Sequence, residues 1–361
     1  MSKIKINMQS LGFTEKFAQE ADLYAAENLW PGRVLAQHRE IYRVICPLGE
    51  MWATLAGKLR YNAKTGASLP VVGDFVLLNR ETVDSQAVIH HVLTRKSAFV
   101  RKAPGTARAE QVVASNIDRV FICLALNQDF NLRRLERYLA IAWDSGSTPV
   151  IVLTKADLCH CLEQRLSEVS ATAPGVDIVV TSAYEGLYSP LLPYIKPGET
   201  TAFIGSSGVG KSTLINCLIG EAALATNGLR NDGKGRHTTT SRELILLKSG
   251  GLVIDTPGMR EIGLEGADLK KTFDDIEALA AQCKFRNCSH QSEPGCAVKE
   301  AIAAGALEPQ RLVSYEKLQK EVKYASLNAQ EREEAKFAAM FKDLGSKKNV
   351  RDFIKGKGTK K

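Results

Sequence analysis

The residues best placed to do chemistry begin at Gly205. Gly205-Ser206-Ser207-Gly208-Val209-Gly210-Lys211-Ser212 follows the pattern G-x-x-x-x-G-K-[ST] and lies between an apolar, strand-like run and an amphipathic, helix-like one. Glycines let the backbone bend so that its N–H groups face phosphate oxygens, and the N-terminus of the following helix adds a favourable dipole. In such a loop Lys211 neutralises charge on the β- and γ-phosphates and Ser212 coordinates Mg²⁺. Ser206, Ser207, Val209 and Thr213 complete the candidate phosphate-binding set. Asp255-Thr256-Pro257-Gly258 follows the apolar run Leu252 to Ile254. Asp255 is therefore placed to hold the magnesium shell, and Gly258 can offer its N–H to a γ-phosphate.

A phosphate loop does not select a base. Thr154-Lys155-Ala156-Asp157 stands at the end of another apolar run, where a carboxylate can accept from both guanine N1–H and N2–H₂ while the Lys155 stem lies over the ring. Adenine offers no such pair of donors. Ser182-Ala183, after a third run, would supply backbone N–H to guanine O6, so GTP is the expected nucleotide. Between the phosphate loop and Asp255 lie residues 227 to 240, rich in glycine and charge, and either Thr239 or Thr240 could complete the Mg²⁺ shell. Met259 occupies the place where many GTPases carry the glutamine that orients the attacking water, which predicts slow intrinsic hydrolysis. His237 is the candidate to position that water, set against a loop histidine that touches solvent or RNA.

A second constellation is Cys283-x₄-Cys288-x-His290-x₅-Cys296. Three thiolates and one imidazole can close a tetrahedral Zn²⁺ shell with no open position, so this metal is expected to be structural. Cys159-His160-Cys161 reads as helical, where neighbours two apart do not face each other, and is not expected to bind metal. Cys46, Cys123 and Cys217 lie in apolar patterns and read as core.

These groups need elements to hold them. With 361 residues the chain is expected to form three folded units, and 44% hydrophobic and 24% charged residues exclude wholesale disorder and fibrous repeats. Apolar runs such as Val120 to Leu126 have strand length, well short of a membrane span, so no membrane role is expected and the expected compartment is the cytoplasm. Residues 1–32 read as a helical extension that Pro31-Gly32 ends. Residues 33–103 read as short strands without a helix, an OB-like β-barrel. Arg43, Lys58, Arg60, Lys64, Arg95, Lys96, Arg101 and Lys102 interleave there with Tyr42, Trp52, Tyr61 and Phe99, which suits single-stranded nucleic acid or, for the rings, a barrel core. Residues 104–114 read as a linker, and 115–267 alternate strands and helices as a mainly parallel α/β sheet. Residues 268–341 read as a zinc knuckle with helices, and 342–361 as a basic tail. That tail holds eight lysines or arginines against Asp343 and Asp352, hence six of the net eight positive charges. It is an arm for a polyanion or an aid to solubility.

The base-reading residues precede the phosphate loop, so the central module resembles a translation-factor-type GTPase in circularly permuted order. Together with the barrel, the Cys-Cys-His-Cys knuckle, Gln111 to Asp118 at the module's start and Gly235-Arg236-His237-Thr238-Thr239-Thr240, the chain resembles the ribosome small subunit-dependent GTPase A family of bacteria. The resemblance implies a factor for late maturation of the 30S ribosomal subunit that binds 16S rRNA through barrel and knuckle. It implies hydrolysis of GTP to GDP on the particle, catalysis by His237, and a monomer. Thr154 departs from the asparagine common at that position, which bears on the contacts to guanine N7 and to the phosphate loop. The rival readings are an RNA-binding module whose hydrolysis is incidental, a P-loop kinase or ATPase, and a permuted GTPase of the large subunit.

Overall fold

The computed structural model describes residues 6–63, 66–79, 86–102, 110–220, 242–255, 269–326 and 331. After α1 (Glu15–Asp22) come five strands, β1 (Trp30–His38), β2 (Ile41–Cys46), β3 (Gly49–Leu55), β4 (Phe75–Asn79) and β5 (Ala87–Val92). Their order is β1-β2-β3-β5-β4, and β4 pairs back onto β1 from Trp30–Leu78 to Arg33–Phe75, which closes an OB-like barrel. Val34, Tyr42, Val44, Val76, Leu78 and Ile89 fill it.

Three expectations need correction here. The barrel begins at Trp30, inside the segment expected to be a helical extension, because Pro31 sits near a strand start, where proline is tolerated. Gly32 is needed in that strand, since a Cβ there would stand 2.7 Å from the Leu78 and Val44 side chains. A short helix, α2 (Gly57–Asn62), interrupts the barrel strands; it turns only Leu59 toward the barrel, too little for a periodic signal. Part of the expected linker is ordered. β6 (Ala98–Lys102) and β7 (Glu110–Ser115) pair as an antiparallel ribbon, with Val112, Val113 and Ala114 all buried.

The module that follows runs β8 (Arg119–Ala125), α3 (Leu132–Asp144), β9 (Thr148–Thr154), α4 (Leu162–Thr172), β10 (Ile178–Val180), β11 (Thr200–Ile204), α5 (Lys211–Ile219), β12 (Glu243–Leu246) and β13 (Leu252–Asp255). The sheet order is β10-β9-β8-β11-β13-β12, parallel except for β12. β8 shows why its run is apolar throughout: Val120, Ile122 and Leu124 face one core while Phe121, Cys123 and Ala125 face another. The first core also takes Leu135 of α3, Val169 of α4 and Phe273 and Tyr315 beyond the module. The C-terminal helices α6 (Asp274–Ala280), α7 (Ala297–Ala303) and α8 (Pro309–Ser326) therefore cover the same sheet face as α3 and α4.

The barrel meets the module at two places. β1 bridges β12 at Ala36–Glu243, where Arg43 also pairs with Glu243. The larger junction centres on Arg33, which is 1% exposed. Its guanidinium donates to Leu11 O, Gly73 O (3.3 Å), Asn116 O (3.2 Å) and Thr200 Oγ1 (2.7 Å), and lies 4.7 Å from the Phe75 ring centre. Burial lowers its pKa to about 10 against the pull of Asp118 and Asp74, so it is cationic at neutral pH. Gly73 adopts a positive φ of 95°, and a Cβ there would stand 2.2 Å from Ser115 O. Asp74, 0% exposed, takes two bonds from Arg95 (2.8 and 2.7 Å) and one from Ser115 Oγ (2.5 Å). Asp118 accepts from Lys96 Nζ (2.5 Å) and Thr200 N (2.8 Å).

Arg33→Leu would strand several acceptors at this junction, each costing about 1–3 kcal/mol. The expected outcome in urea unfolding is a loss of about 3 kcal/mol or more, with barrel and module melting in separate transitions. A loss below about 1 kcal/mol would mean that apolar packing alone holds the junction.

Candidate functional site

β11 ends at Ile204, and the chain turns through Gly205, Gly208 and Gly210 with φ of 147°, 71° and 105° before α5 starts at Lys211. A Cβ at Gly205 would lie 2.6 Å from Cys123 O, so only glycine lets the loop leave the sheet so tightly. Ser207, Gly208, Ser212 and Thr213 are exposed along this loop, while Val209 is buried. Lys211 Nζ donates to the carbonyls of Gly205 (2.8 Å) and Ser206 (2.7 Å), so its ammonium lies back across the loop.

The base-reading candidates stand beside it. Thr154 closes β9, is 3% exposed, and its Oγ1 lies 2.6 Å from Val209 O and 3.5 Å from Leu124 O. Both neighbours are carbonyls, so the hydroxyl donates. Lys155 takes a left-handed φ of 59°, which turns the chain into a short 3-10 turn at Ala156–Leu158 and brings Asp157 to the surface. Ser182 Oγ donates to Asp157 Oδ1 at 2.6 Å and thereby orients that carboxylate. Ser182 N–H bonds Leu187 O at 3.0 Å, and Leu187 N–H returns to Ser182 O at 2.8 Å, which ties off the turn carrying Ala183. Direct bonds thus gather Thr154, Asp157, Ser182 and the phosphate loop at the C-terminal ends of parallel strands. Asp255 ends β13, which runs parallel to β11 with Ala202 opposite Ile254. His237, Thr239, Thr240 and Gly258 lie outside the described residues.

Two arginines at the site carried no signal in the sequence. Arg134, in the first turn of α3, donates to Ser206 Oγ at 3.1 Å and so touches the phosphate loop. Arg311, 6% exposed on α8, is the centre of a network on the far side of α3. It donates to both Asp275 oxygens (2.5 and 2.8 Å), to Glu136 Oε1 (3.1 Å), and to the carbonyls of Thr172 (3.3 Å) and Thr272 (3.0 Å). Glu136 also accepts from Ser314 and, at 2.8 Å, from Arg133. Burial pushes the Glu136 carboxyl up even so. Burial opposes the Arg311 charge too, yet the bonds to Asp275 hold that guanidinium above its ordinary pKa. The pair with Asp275 is therefore the favourable half of the network, and Glu136 is the member that stays costly to ionise.

Cys283, Cys288, His290 and Cys296 come together with all four ligand atoms within 4.8 Å of one another. Cys283 Sγ lies 3.7 Å from His290 Nδ1 and 3.9 Å from Cys296 Sγ, and His290 Nδ1 lies 3.4 Å from Cys296 Sγ. A zinc tetrahedron with bonds of about 2.3 Å to sulfur and about 2.0 Å to nitrogen has edges of about 3.5–3.8 Å, so the residues fit that ion. Burial pushes the Cys283 thiol up, but backbone N–H groups of Val298 and Ala297 and the neighbouring thiols bring it below its ordinary value. Cys288, raised by burial first of all, is pushed up to about 11.

Other cysteine and cation readings change. Cys159-His160-Cys161 lies between the 3-10 turn and α4, so it is not helical; it lines a cleft of about 590 Å³ with Asn127, Asp129 and Arg165. It gathers no metal-ligand group, and the Cys283 cluster is the one such group among the described residues. Cys46 and Cys123 are buried, whereas Cys217 is half-buried. Several barrel cations are engaged within the fold: Arg43 by Glu243, Arg60 by Glu40, Arg95 by Asp74 and Lys96 by Asp118. Tyr42 and Phe99 are core, while Trp52 (46%) and Tyr61 (90%) are exposed beside exposed Lys58.

A parallel sheet with a phosphate loop on β11, base-reading loops on the earlier β9 and β10, and a closed barrel ahead of it defines a circularly permuted P-loop GTPase. The family model described as RsgA GTPase matches residues 92–265. A model described as ABC transporter matches residues 190–349, a span that contains the strand–phosphate-loop–helix unit common to P-loop proteins. The chain is 49% identical to small ribosomal subunit biogenesis GTPase RsgA 2 of Lactiplantibacillus plantarum, over 96% of this chain and 98% of that protein. It is 46% identical to small ribosomal subunit biogenesis GTPase RsgA of Opitutus terrae, over 89% and 91%. Among solved structures, YjeQ from Thermotoga maritima matches with a TM-score of 0.62 and 29% identity, over 81% of this chain and 98% of that one. YloQ, a circularly permuted GTPase, matches at 0.60 and 27%, over 83% and 97%. The chain belongs to the RsgA GTPase family. Nucleotide-associated Mg²⁺ goes with that membership. Among the described residues no helix is long and apolar enough to cross a membrane.

Arg311→Ala is expected to cost about 2–3 kcal/mol, because it takes the bidentate partner from half-exposed Asp275 and leaves buried Glu136 with the Arg133 cation alone. Limited proteolysis should then cut between the module and α8. An unchanged cleavage pattern would show that the network does not hold the C-terminal helices in place.

Proposed function

We propose that this chain hydrolyses GTP to GDP while bound to the 30S ribosomal subunit and acts there as a late maturation factor. The observation that carries the reading is the Thr154 bond to Val209 O, which fastens one guanine-type loop to the phosphate loop, with the Ser182 bond to Asp157 tying the second such loop to the first. Gly205 to Gly210 and Thr213 cradle the phosphates, Lys211 moves from its loop carbonyls to the β- and γ-phosphates, and Asp157 with the Lys155 stem reads the base. The Ser182 N–H is already engaged, so contact with guanine O6 falls to Ala183. Ser212 and Asp255, with Thr239 or Thr240, would hold Mg²⁺, which would supply positive charge against the phosphates. In this reading the Gly258 N–H would serve the γ-phosphate and His237 would orient the attacking water.

The exposed Trp52 and Tyr61 support a nucleic-acid face on the barrel, and the Cys283–His290–Cys296 spacing supports one structural Zn²⁺ in a knuckle that also meets 16S rRNA. In this reading the barrel, the GTPase module and the zinc-knuckle domain act as one monomeric, cytoplasmic factor, with the basic tail of 342–361 as an accessory. Differential affinity of the GTP and GDP forms for the particle drives release, since equal affinity would shift nothing.

The test is phosphate release from GTP and from ATP, alone and with purified 30S or 50S subunits. GTP turnover should rise at least about tenfold with 30S alone, and His237→Ala should remove about 10²-fold of the stimulated rate. Turnover unmoved by 30S would sink the assembly reading in favour of a binding module. For the metal, elemental analysis should find about one zinc per chain, lost in Cys288→Ala together with cooperative melting of the C-terminal domain but not with GDP binding. Full melting cooperativity in a zinc-free chain would overturn the structural role.

A further inference from the structure

Guanine presents two acceptors on one edge, O6 and N7, and a protein reads N7 only by aiming a donor at it. On the base assignment proposed above, the first residue of the Thr154-Lys155-Ala156-Asp157 segment stands at that edge. An asparagine there would carry two amide protons, one for the phosphate loop and one for N7. Thr154 has a single hydroxyl proton. That proton lies on the 2.6 Å line to Val209 O, and the next neighbour, Leu124 O at 3.5 Å, is also an acceptor. The side chain is held there: Thr154 is 3% exposed, Val209 is 2% exposed, and a Cβ on Gly210 would stand 3.9 Å from Thr154 Cβ. Turning the hydroxyl toward a base would leave the carbonyl of buried Val209 without that donor, which is disfavoured.

We propose that this site reads guanine at N1, N2 and O6 but not at N7, and therefore takes guanine nucleotides that lack the N7 lone pair as readily as GDP and GTP. The inference rests on the assignment of Thr154–Asp157 and Ser182–Ala183 to the base. In 7-deazaguanine a C–H replaces N7 at nearly constant shape. In a pocket with a donor at that edge the C–H strands the donor. On that assignment the edge meets Thr154, whose one proton is held by Val209 O, so the C–H strands no donor.

The experiment is displacement of a fluorescent GDP analogue from the full chain in Mg²⁺ by GDP, 7-deaza-GDP and ADP. GDP and 7-deaza-GDP should compete within about twofold of each other in the native chain. Thr154→Asn should acquire a preference for GDP of about five- to tenfold, the size of one neutral hydrogen bond. A native chain that binds 7-deaza-GDP five or more times less tightly than GDP, on the order of one lost bond, overturns the proposal. A folded Thr154→Asn variant with no such preference overturns it too, since residue 154 would then not face N7. The native ratio decides whether or not that variant folds. ADP competing as well as GDP would instead defeat the base assignment itself, a result separable from the 7-deaza comparison.

Discussion

A buried guanidinium governs how this molecule is put together. Arg33 has no carboxylate in direct contact; its charge is dispersed over three carbonyls, a threonine hydroxyl and the face of Phe75. Desolvating a cation this way is tolerable only when each guanidinium nitrogen finds an acceptor, and the acceptors come from the N-terminal segment, the barrel, the module's first turn and β11. Removing any one of these bodies would leave the charge unsatisfied. Since β11 runs directly into Gly205, the strand under the phosphate loop is fastened to the barrel at its far end. The barrel cannot swing against the phosphate loop without breaking that set, so the two present themselves to a partner as one surface.

The C-terminal helices are fastened by a second buried guanidinium, and the contrast is physical. Arg311 has Asp275 as a close bidentate partner, and its bonds to Glu136 and Thr172 reach α3 and α4. Arg137 adds Glu321 at 2.5 and 2.6 Å. The opposite side of α3 touches the phosphate loop through Arg134 and Ser206. One helix therefore contacts both the nucleotide loop and the helical domain that carries the Cys₃His cluster. The chain itself also joins β13 to that domain, through residues 256–268.

What could be read from the sequence was what local pattern dictates. The run at β8 was legible because both of its faces are buried, the phosphate loop because glycine spacing is demanded by backbone approach to phosphate, and the cluster because four ligands fall within one short segment. β1 was hidden by Pro31-Gly32, and β7 by the turn residues ahead of it. Arg33, Arg134 and Arg311 were not legible at all. Their partners lie far away in the chain, as with Arg33 and Thr200 at a separation of 167 residues, and no local spacing encodes that. Two cations near the barrel have roles that no local pattern shows, for a related reason. Arg95 and Lys96 look like phosphate ligands in a list of residue types, yet they serve Asp74 and Asp118 at the junction.

Thr154 shows what a single atom changes once the rest is fixed. The hydroxyl holds Val209 from one side, Arg134 holds Ser206 from another, and Lys211 bonds two loop carbonyls, so the phosphate loop has its shape before any ligand arrives. A preformed loop costs little to order on binding. Diphosphate and base contacts then contribute equally for GDP and GTP, and they cannot distinguish the two. Discrimination must come from groups at the γ-phosphate, which the proposed reading assigns to Lys211, Gly258, His237 and Thr239 or Thr240. The division is consistent with the permuted order of the chain: base recognition and loop anchoring are completed by residues 154–212, while every group proposed at the γ-phosphate other than Lys211 lies between there and the C-terminal domain that must respond.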